Sequence, residues 1–199
     1  MNTSVKFYLA AYNFIAFVFW ALYLAFYFTG GFQMNSINLF LLNMAQGMAV
    51  LEILHVIAKW VKSPVVSTSV QVFSRILILV LINVFIQNYS TLFVFTTGVK
   101  IVSIAWGVTE LVRYSLYFLS LFGKQPAALL WMRYSFFIVL YPLGVTGEWF
   151  ILVTPTVTNG IAFTAYNIFL AASVFSYGYY FPVLYKYMWA QRKSKINNF

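Results

Sequence analysis

A chain of 199 residues that is 63% hydrophobic and 8% charged has too little polar surface for a water-soluble domain, which would carry charge on about a quarter of its residues. Its net charge of +9 does not point to nucleic acid, because the lysines and arginines sit mostly at the ends of apolar stretches, where they set topology and meet anionic headgroups. The absence of cysteine excludes disulfides, thiolate metal sites and thiol nucleophiles.

Apolar runs of about 20 residues, the length of a helical membrane span, recur along the chain. They are unbroken rather than alternating, which argues against a transmembrane barrel. The expected fold is all-α: a polytopic bundle of six transmembrane helices, forming one domain over residues 1–199. Span 1 runs from about Phe7 to Phe28 and ends at Gly30-Gly31. It is long and lacks a small-residue cleavage site, so it reads as a span rather than a signal peptide. Span 2, about Ile37 to Ile57, holds Gln46, Glu52 and His55. After the loop Lys59 to Pro64, span 3, about Val66 to Ile86, holds Gln71 and Arg75. Asn88 to Thr91 is read as a turn. Phe93 to Phe122 is either one tilted span or a short amphipathic piece leading into a span at Val99 to Leu119. Gly123 to Ala127 is a loop, and span 5 covers about Ala128 to Val153. Thr154 to Gly160, with Pro155, is read as the next turn. Span 6, about Ile161 to Phe181, continues past Pro182 into a basic tail.

With six spans both termini share one side. That side receives Lys6, Lys59, Lys62, Lys124, Lys186, Arg192, Lys193 and Lys195, whereas the other receives at most Lys100. The positive-inside rule therefore predicts cytosolic termini. Asn88-Tyr89-Ser90 is a glycosylation sequon on the opposite side, close to the membrane; Asn2-Thr3-Ser4 falls on the cytosolic side.

The chain has three acidic residues, Glu52, Glu110 and Glu148, and all lie in or near apolar segments. Under the predicted topology, Glu52, His55, Arg75, Glu110, Arg113, Tyr114, Arg133 and Tyr134 all fall in the cytosolic half, with Tyr141 near mid-membrane and Glu148 beyond it. The pattern suggests a polar cavity open to the cytosol and deepening toward Tyr141 and Glu148. Interhelical ion pairs and hydrogen bonds explain the same residues structurally. Glu110 and Arg113 are three apart and can neutralise each other on one helix face. Glu52 and His55 share that spacing, which fits a general base or a satisfied core pair. Arg75 is a charge partner or a clamp for an anionic group.

Glu148 differs in having no basic residue within four positions. A carboxyl so placed in a membrane is a functional-site hypothesis by default, and desolvation helps it hold a proton near neutrality. Tyr141 lies seven residues earlier on the same helix face, roughly 10 Å away along a straight axis. Pro142, Gly144 and Gly147 predict an irregular backbone there, with amides freed by a kink. A phenol and a protonatable carboxyl suit an elimination or hydration, one group removing a proton from carbon while the other protonates a departing hydroxyl. There is no metal-ligand set, nucleophile elbow, phosphate loop or dinucleotide fingerprint, and no cofactor is expected. On the residues alone an ion-coupled transporter or a lipid-binding bundle remains open.

The segment RYSFFIVLYPLGVTGE, Arg133 to Glu148, resembles the signature of the very-long-chain 3-hydroxyacyl-CoA dehydratases, once labelled protein tyrosine phosphatase-like proteins. Further blocks agree in order: Tyr8 to Asn13, Leu51 to Arg75, Trp106 to Tyr117, and YKYMWAQRK near the end. The resemblance implies six spans in the endoplasmic reticulum membrane and dehydration of (3R)-3-hydroxyacyl-CoA to trans-2-enoyl-CoA, the third step of fatty acid elongation. It implies Tyr141 and Glu148 as the catalytic pair of the motif Y-P-x-G-x-x-x-E. Arg75, Glu110, Arg113, Tyr114, Arg133, Glu52 and His55 are candidates for binding or support. Implied partners are the acyl-CoA substrate, membrane lipids, and the condensing, ketoacyl-reducing and enoyl-reducing enzymes. The expected roles are Tyr141 as base and Glu148 as acid, with Arg113 or Arg133 supplying positive charge to the phenol. The alternative is a catalytically inactive scaffold or lipid-binding protein of the elongation complex. The tail KINNF departs from the dilysine signal of some members, and without a cysteine thiolate phosphatase chemistry is not expected.

Overall fold

In the computed structural model, which describes residues 2–159 and 165–196, the chain is all helix and, among those residues, has no strand. The helices are α1 (Thr3–Thr29), α2 (Ser36–Gly47), α3 (Val50–Ile57), α4 (Val65–Tyr89), α5 (Phe93–Leu121), α6 (Ala127–Ser135), α7 (Phe137–Asn159) and α8 (Ala165–Ile196). Six stretches are long and apolar enough to cross a membrane: α1, α2 with α3, α4, α5, α7 and α8. Helix is the form such sequences must take in hydrocarbon, because it pairs every backbone group within its own segment.

The ends of these helices are closed by local chemistry. Asn2 and Asn35 cap α1 and α2, their side-chain oxygens accepting from the backbone N–H groups of Ser4 (3.2 Å) and Asn38 (2.8 Å). At the other end, α1 and α5 close through Gly31 (φ 67°) and Gly123 (φ 74°), where the left-handed backbone lets the next N–H reach back to Tyr27 O (2.9 Å) and Leu119 O (3.0 Å). Lys59 takes the same conformation after α3 (φ 58°), and Trp60 N bonds to His55 O at 2.9 Å.

Helix α5 is the centre of the packing, with α1 on one side and α7 on another. Close approach depends on missing side chains. A Cβ on Gly107 would meet the Leu24 side chain at 2.7 Å, and one on Gly98 would stand 2.9 Å from Gly147 O. Small residues at such crossings replace hydrophobic driving force with van der Waals contact in a bilayer. Polar bonds between helices add specificity: buried Tyr23 with Ser103 (2.5 Å, α1–α5), and half-buried reciprocal amide bonds between Asn43 and Asn83 (3.0 and 2.8 Å, α2–α4). Helix α8 is the least buried, and it touches α7 along an aromatic row four residues apart: Tyr177, Phe181, Tyr185 and Trp189.

Four sequence expectations about boundaries are corrected. Span 2 is broken between α2 and α3, where Ala49 N and Leu51 N bond only three residues back; Tyr12 also donates to the Met48 carbonyl at 3.0 Å. Span 5 is split at Phe136 into α6 and α7, and α7 does not turn at Thr154 but runs through Pro155 to Asn159. Asn88 lies inside α4 rather than in a turn. The long fourth segment is a single helix of 29 residues, one of the two readings considered. The start of span 6 at Ile161 lies outside the described residues; α8 continues through Pro182 as expected.

Candidate functional site

Most of the charged candidates converge on one cluster between α1, α3, α4 and α5. Arg113 donates to both Glu52 oxygens (2.7 and 2.5 Å) and, through Nε, to Glu110 Oε2 (2.7 Å). Arg75 holds the other Glu110 oxygen. Tyr114 donates to Glu52 Oε1 at 2.7 Å, and Tyr12 reaches the same oxygen at 3.3 Å. Two carboxylates and two guanidinium groups sum to zero charge, and Glu110 is 1% exposed. Fork-shaped pairing of this kind is how a buried charge set becomes tolerable.

His55 is not bonded to Glu52 despite their spacing. It is buried, bonds with the Tyr8 hydroxyl through Nε2 (3.0 Å), stacks near Trp60 and is edge-on to Tyr12. It therefore closes the edge of the cluster as an aromatic partner. Arg133 lies on α6 and makes no ion pair among the described residues.

Glu148 stands apart from that cluster. It sits eleven residues into α7, roughly 17 Å along the helix from Phe137. It is 9% exposed, and its hydrogen-bond partners are neutral. Trp106 Nε1 of α5 donates to Oε1 at 3.2 Å, and the Tyr177 hydroxyl of α8 donates to Oε2. Among the described residues no cation forms an ion pair with it. The nearest link to the charged cluster is Arg75, whose guanidinium carbon lies 5.7 Å from the Trp106 ring centroid.

Tyr141 is half-buried on the same helix. Its ring stacks on Phe181 (centroids 5.0 Å, planes 5° apart) and beyond it Tyr185 (6.3 Å, 13°). Helix α7 is continuous through Pro142, so no amide is freed there, contrary to the sequence expectation. The group that proline leaves unpaired is the carbonyl of Ile138, and the Tyr185 hydroxyl donates to it at 3.3 Å. Arg113 is occupied by Glu52 and Glu110 rather than by Tyr141.

Sequence reasoning placed Glu52, His55, Arg75, Glu110, Arg113, Tyr114, Arg133 and Tyr134 in one half of the bundle; the structure brings Glu52, Arg75, Glu110, Arg113 and Tyr114 together by hydrogen bonds, and gives Glu148 the partners Trp106 and Tyr177, which sequence reasoning missed. Each lies far from Glu148 in sequence, and neither type is rare in a chain with fifteen tyrosines and six tryptophans. The available signal was the four-residue spacing of large aromatics along α8, which marks the face turned to α7. A cavity of about 230 Å³ between Phe14, Phe17, Tyr114 and Phe118, and another of about 400 Å³ between Tyr27, Phe32, Ile86, Phe95 and Lys100, both lie away from Glu148.

Six membrane-length helices that enclose an ion-paired cluster and, apart from it, a buried carboxyl held by neutral donors define a polytopic helical membrane protein. The chain belongs to the protein tyrosine phosphatase-like family, PTPLA, whose model matches residues 46–198. It is similar to the very-long-chain (3R)-3-hydroxyacyl-CoA dehydratase hpo-8 of Caenorhabditis elegans, with 38% identity over 96% of this chain and 94% of that protein. It is similar to the dehydratase PASTICCINO 2 of Arabidopsis thaliana at 33% identity over 96% and 93% of the two chains. The match to dehydratase 2 of Mus musculus, at 36% identity, covers 75% of this chain and 63% of the mouse protein. No solved structure gives a significant match.

Proposed function

We propose that this chain is a lyase that dehydrates long or very-long-chain (3R)-3-hydroxyacyl-CoA to trans-2-enoyl-CoA and water, the third step of fatty acid elongation. The observation that carries the reading is Glu148: a buried carboxyl in a membrane-length helix, bonded to neutral donors and placed on one helix with Tyr141. The names of relatives aligned over nearly the whole chain support the substrate class.

The reaction needs one group to take the C2 proton and another to protonate the C3 hydroxyl as the C3–O bond breaks. We assign Glu148 as the base and Tyr141 as the acid, reversing the roles drawn from sequence. Both Glu148 oxygens are placed as acceptors, facing the donors Trp106 and Tyr177. A phenol acting as base needs a cation beside it, and Arg113 is engaged elsewhere. The acyl chain enters from the bilayer, while the charged coenzyme A stays on the side of Lys59, Lys62, Lys124 and the basic tail. Both termini are cytosolic in an endoplasmic reticulum membrane, where the condensing, ketoacyl-reducing and enoyl-reducing enzymes are the working partners. The chain has no cysteine, so Lys124→Cys and Lys100→Cys report topology directly; labelling of the first alone by an impermeant reagent from the cytosolic side is expected.

The test is purified protein with long-chain 3-hydroxyacyl-CoA, following enoyl-CoA formation. Turnover in wild type that collapses in Glu148→Gln and Tyr141→Phe supports the assignment. A folded wild type without turnover across chain lengths, with its elongation partners supplied, points to the scaffold reading instead.

A further inference from the structure

Helix α8 carries no acidic residue and no histidine, yet it contacts both members of the α7 pair. Its Tyr177 hydroxyl bonds to one oxygen of Glu148, while its Phe181 ring lies flat on Tyr141 one turn further along. The Tyr177 ring also rests edge-on against Trp149 (6.0 Å), the residue next to Glu148. From the opposite side, α5 brings Trp106 to the other Glu148 oxygen at 3.2 Å. Indole has no acceptor, so this nitrogen can only donate.

We infer that Trp106 and Tyr177 are positioning residues that clamp the Glu148 carboxyl from two different helices and fix the direction in which it takes up a proton. A glutamate alone on a helix turns about three side-chain bonds. Donors on both oxygens remove that freedom, because each bond is satisfied in only one orientation of the carboxyl plane. The donors stand on unlike supports. Trp106 is buried on α5, where the Arg75 guanidinium covers its ring; Tyr177 is on α8, the helix with least buried surface. The clamp therefore closes only when α8 is seated on α7, and the same seating stacks Phe181 on Tyr141. Docking of α8 sets both members of the pair at once.

The kinetic side of this inference rests on the dehydratase reading; a spectroscopic side does not. Tyr177→Phe and Trp106→Phe each remove one donor and keep an aromatic ring. With protein labelled at the glutamate side-chain carboxyl by carbon-13, only three residues contribute side-chain bands. The Glu148 band is the one deleted by Glu148→Gln. Both donor variants are expected to shift that band, to lower kcat by roughly tenfold to a hundredfold, and to leave KM within about twofold. A band that stays in place in Tyr177→Phe overturns the clamp. A band that moves while kcat holds overturns its part in catalysis. A wild type inactive on every hydroxyacyl-CoA defeats the dehydratase reading and leaves the infrared result to decide the clamp.

Discussion

Glu110 and Glu148 are both buried carboxyls on helices that pack against each other, and the protein treats them in opposite ways. Glu110 is bonded to two guanidinium groups, Arg75 and Arg113, and shares Arg113 with Glu52. Glu148 is bonded to an indole and a phenol. Burial of a charge costs several kcal/mol per ion, and in the first case countercharge offsets it at once. A carboxyl so neutralised is a fastener: it ties α3, α4 and α5 together but has no proton to trade. In the second case the surroundings leave the carboxyl free to change protonation state without breaking an ion pair. Arg75 stands between the two, holding Glu110 while lying against the tryptophan that holds Glu148.

The comparison breaks if the two carboxyls fail in the same way. Glu148→Gln keeps the shape and one acceptor oxygen for Trp106, with an amide that can donate to the Tyr177 hydroxyl, but it cannot exchange a proton. It is expected to cost roughly 10³-fold in turnover, about 4 kcal/mol of barrier, with the melting temperature in detergent nearly unchanged. Arg113→Ala is expected to do the reverse kind of damage. It takes the only ion-pair partner from Glu52 among the described residues and leaves Glu110 with Arg75 alone, and loss of one partner from a buried set costs about 3–5 kcal/mol of stability. Thermal unfolding followed by tryptophan fluorescence reads this directly. A stable, folded Arg113→Ala protein that is merely inactive would place the cluster in the chemistry rather than the scaffold.

How legible this was depended on sequence separation. Glu110 and Arg113 are three apart, and their pairing follows from helix geometry. The bond from Arg113 to Glu52, 61 residues away, required knowing which helices touch. Six membrane-length segments were readable because hydrophobic length is a strong signal. The breaks within them were not. Phe136, between α6 and α7, is flanked by neither glycine nor proline, and at Met48 the sequence offers only Gly47. Pro155 misled in the other direction: in a helix that lies against protein and lipid, no water competes for the backbone, so a proline costs one bond and the helix goes on. Glu148 and Tyr141 stood out by sequence alone, whereas Tyr177 could be recognised only once α8 was seen against α7.

A smaller perturbation sharpens the comparison by moving one carboxyl relative to its donors. Gly147 precedes Glu148, and a Cβ there would meet Val102 Cγ2 at 2.8 Å and Gly98 O at 3.0 Å. Gly147→Ala therefore pushes α7 off α5, the helix that carries Trp106. Overpacking of this kind costs about 1–3 kcal/mol. Activity should fall further than stability does, because the Trp106–Glu148 bond spans this contact, whereas the Glu110 cluster lies about two to three turns further along α5 and bonds to α3 and α4. Equal losses in stability and turnover would mean that α7 moves as a whole with its site intact.

The smallest expected effect concerns the bond that Pro142 removes from α7. The Ile138 carbonyl would accept from the N–H of residue 142, and it accepts from the Tyr185 hydroxyl at 3.3 Å instead. That bond is long, so Tyr185→Phe should cost only about 0.5–1 kcal/mol of stability. The stacking of the ring on Phe181 and Tyr141 survives the change. A second substitution decides whether the hydroxyl stands in for the missing amide. Pro142→Ala restores the N–H, and in that background Tyr185→Phe should cost almost nothing, a coupling that a double-mutant cycle on thermal stability would read. If the hydroxyl costs the same with alanine as with proline at position 142, its place beside Tyr141 has some other cause, and the rings of Phe181 and Tyr185, not this bond, hold α8 against Tyr141.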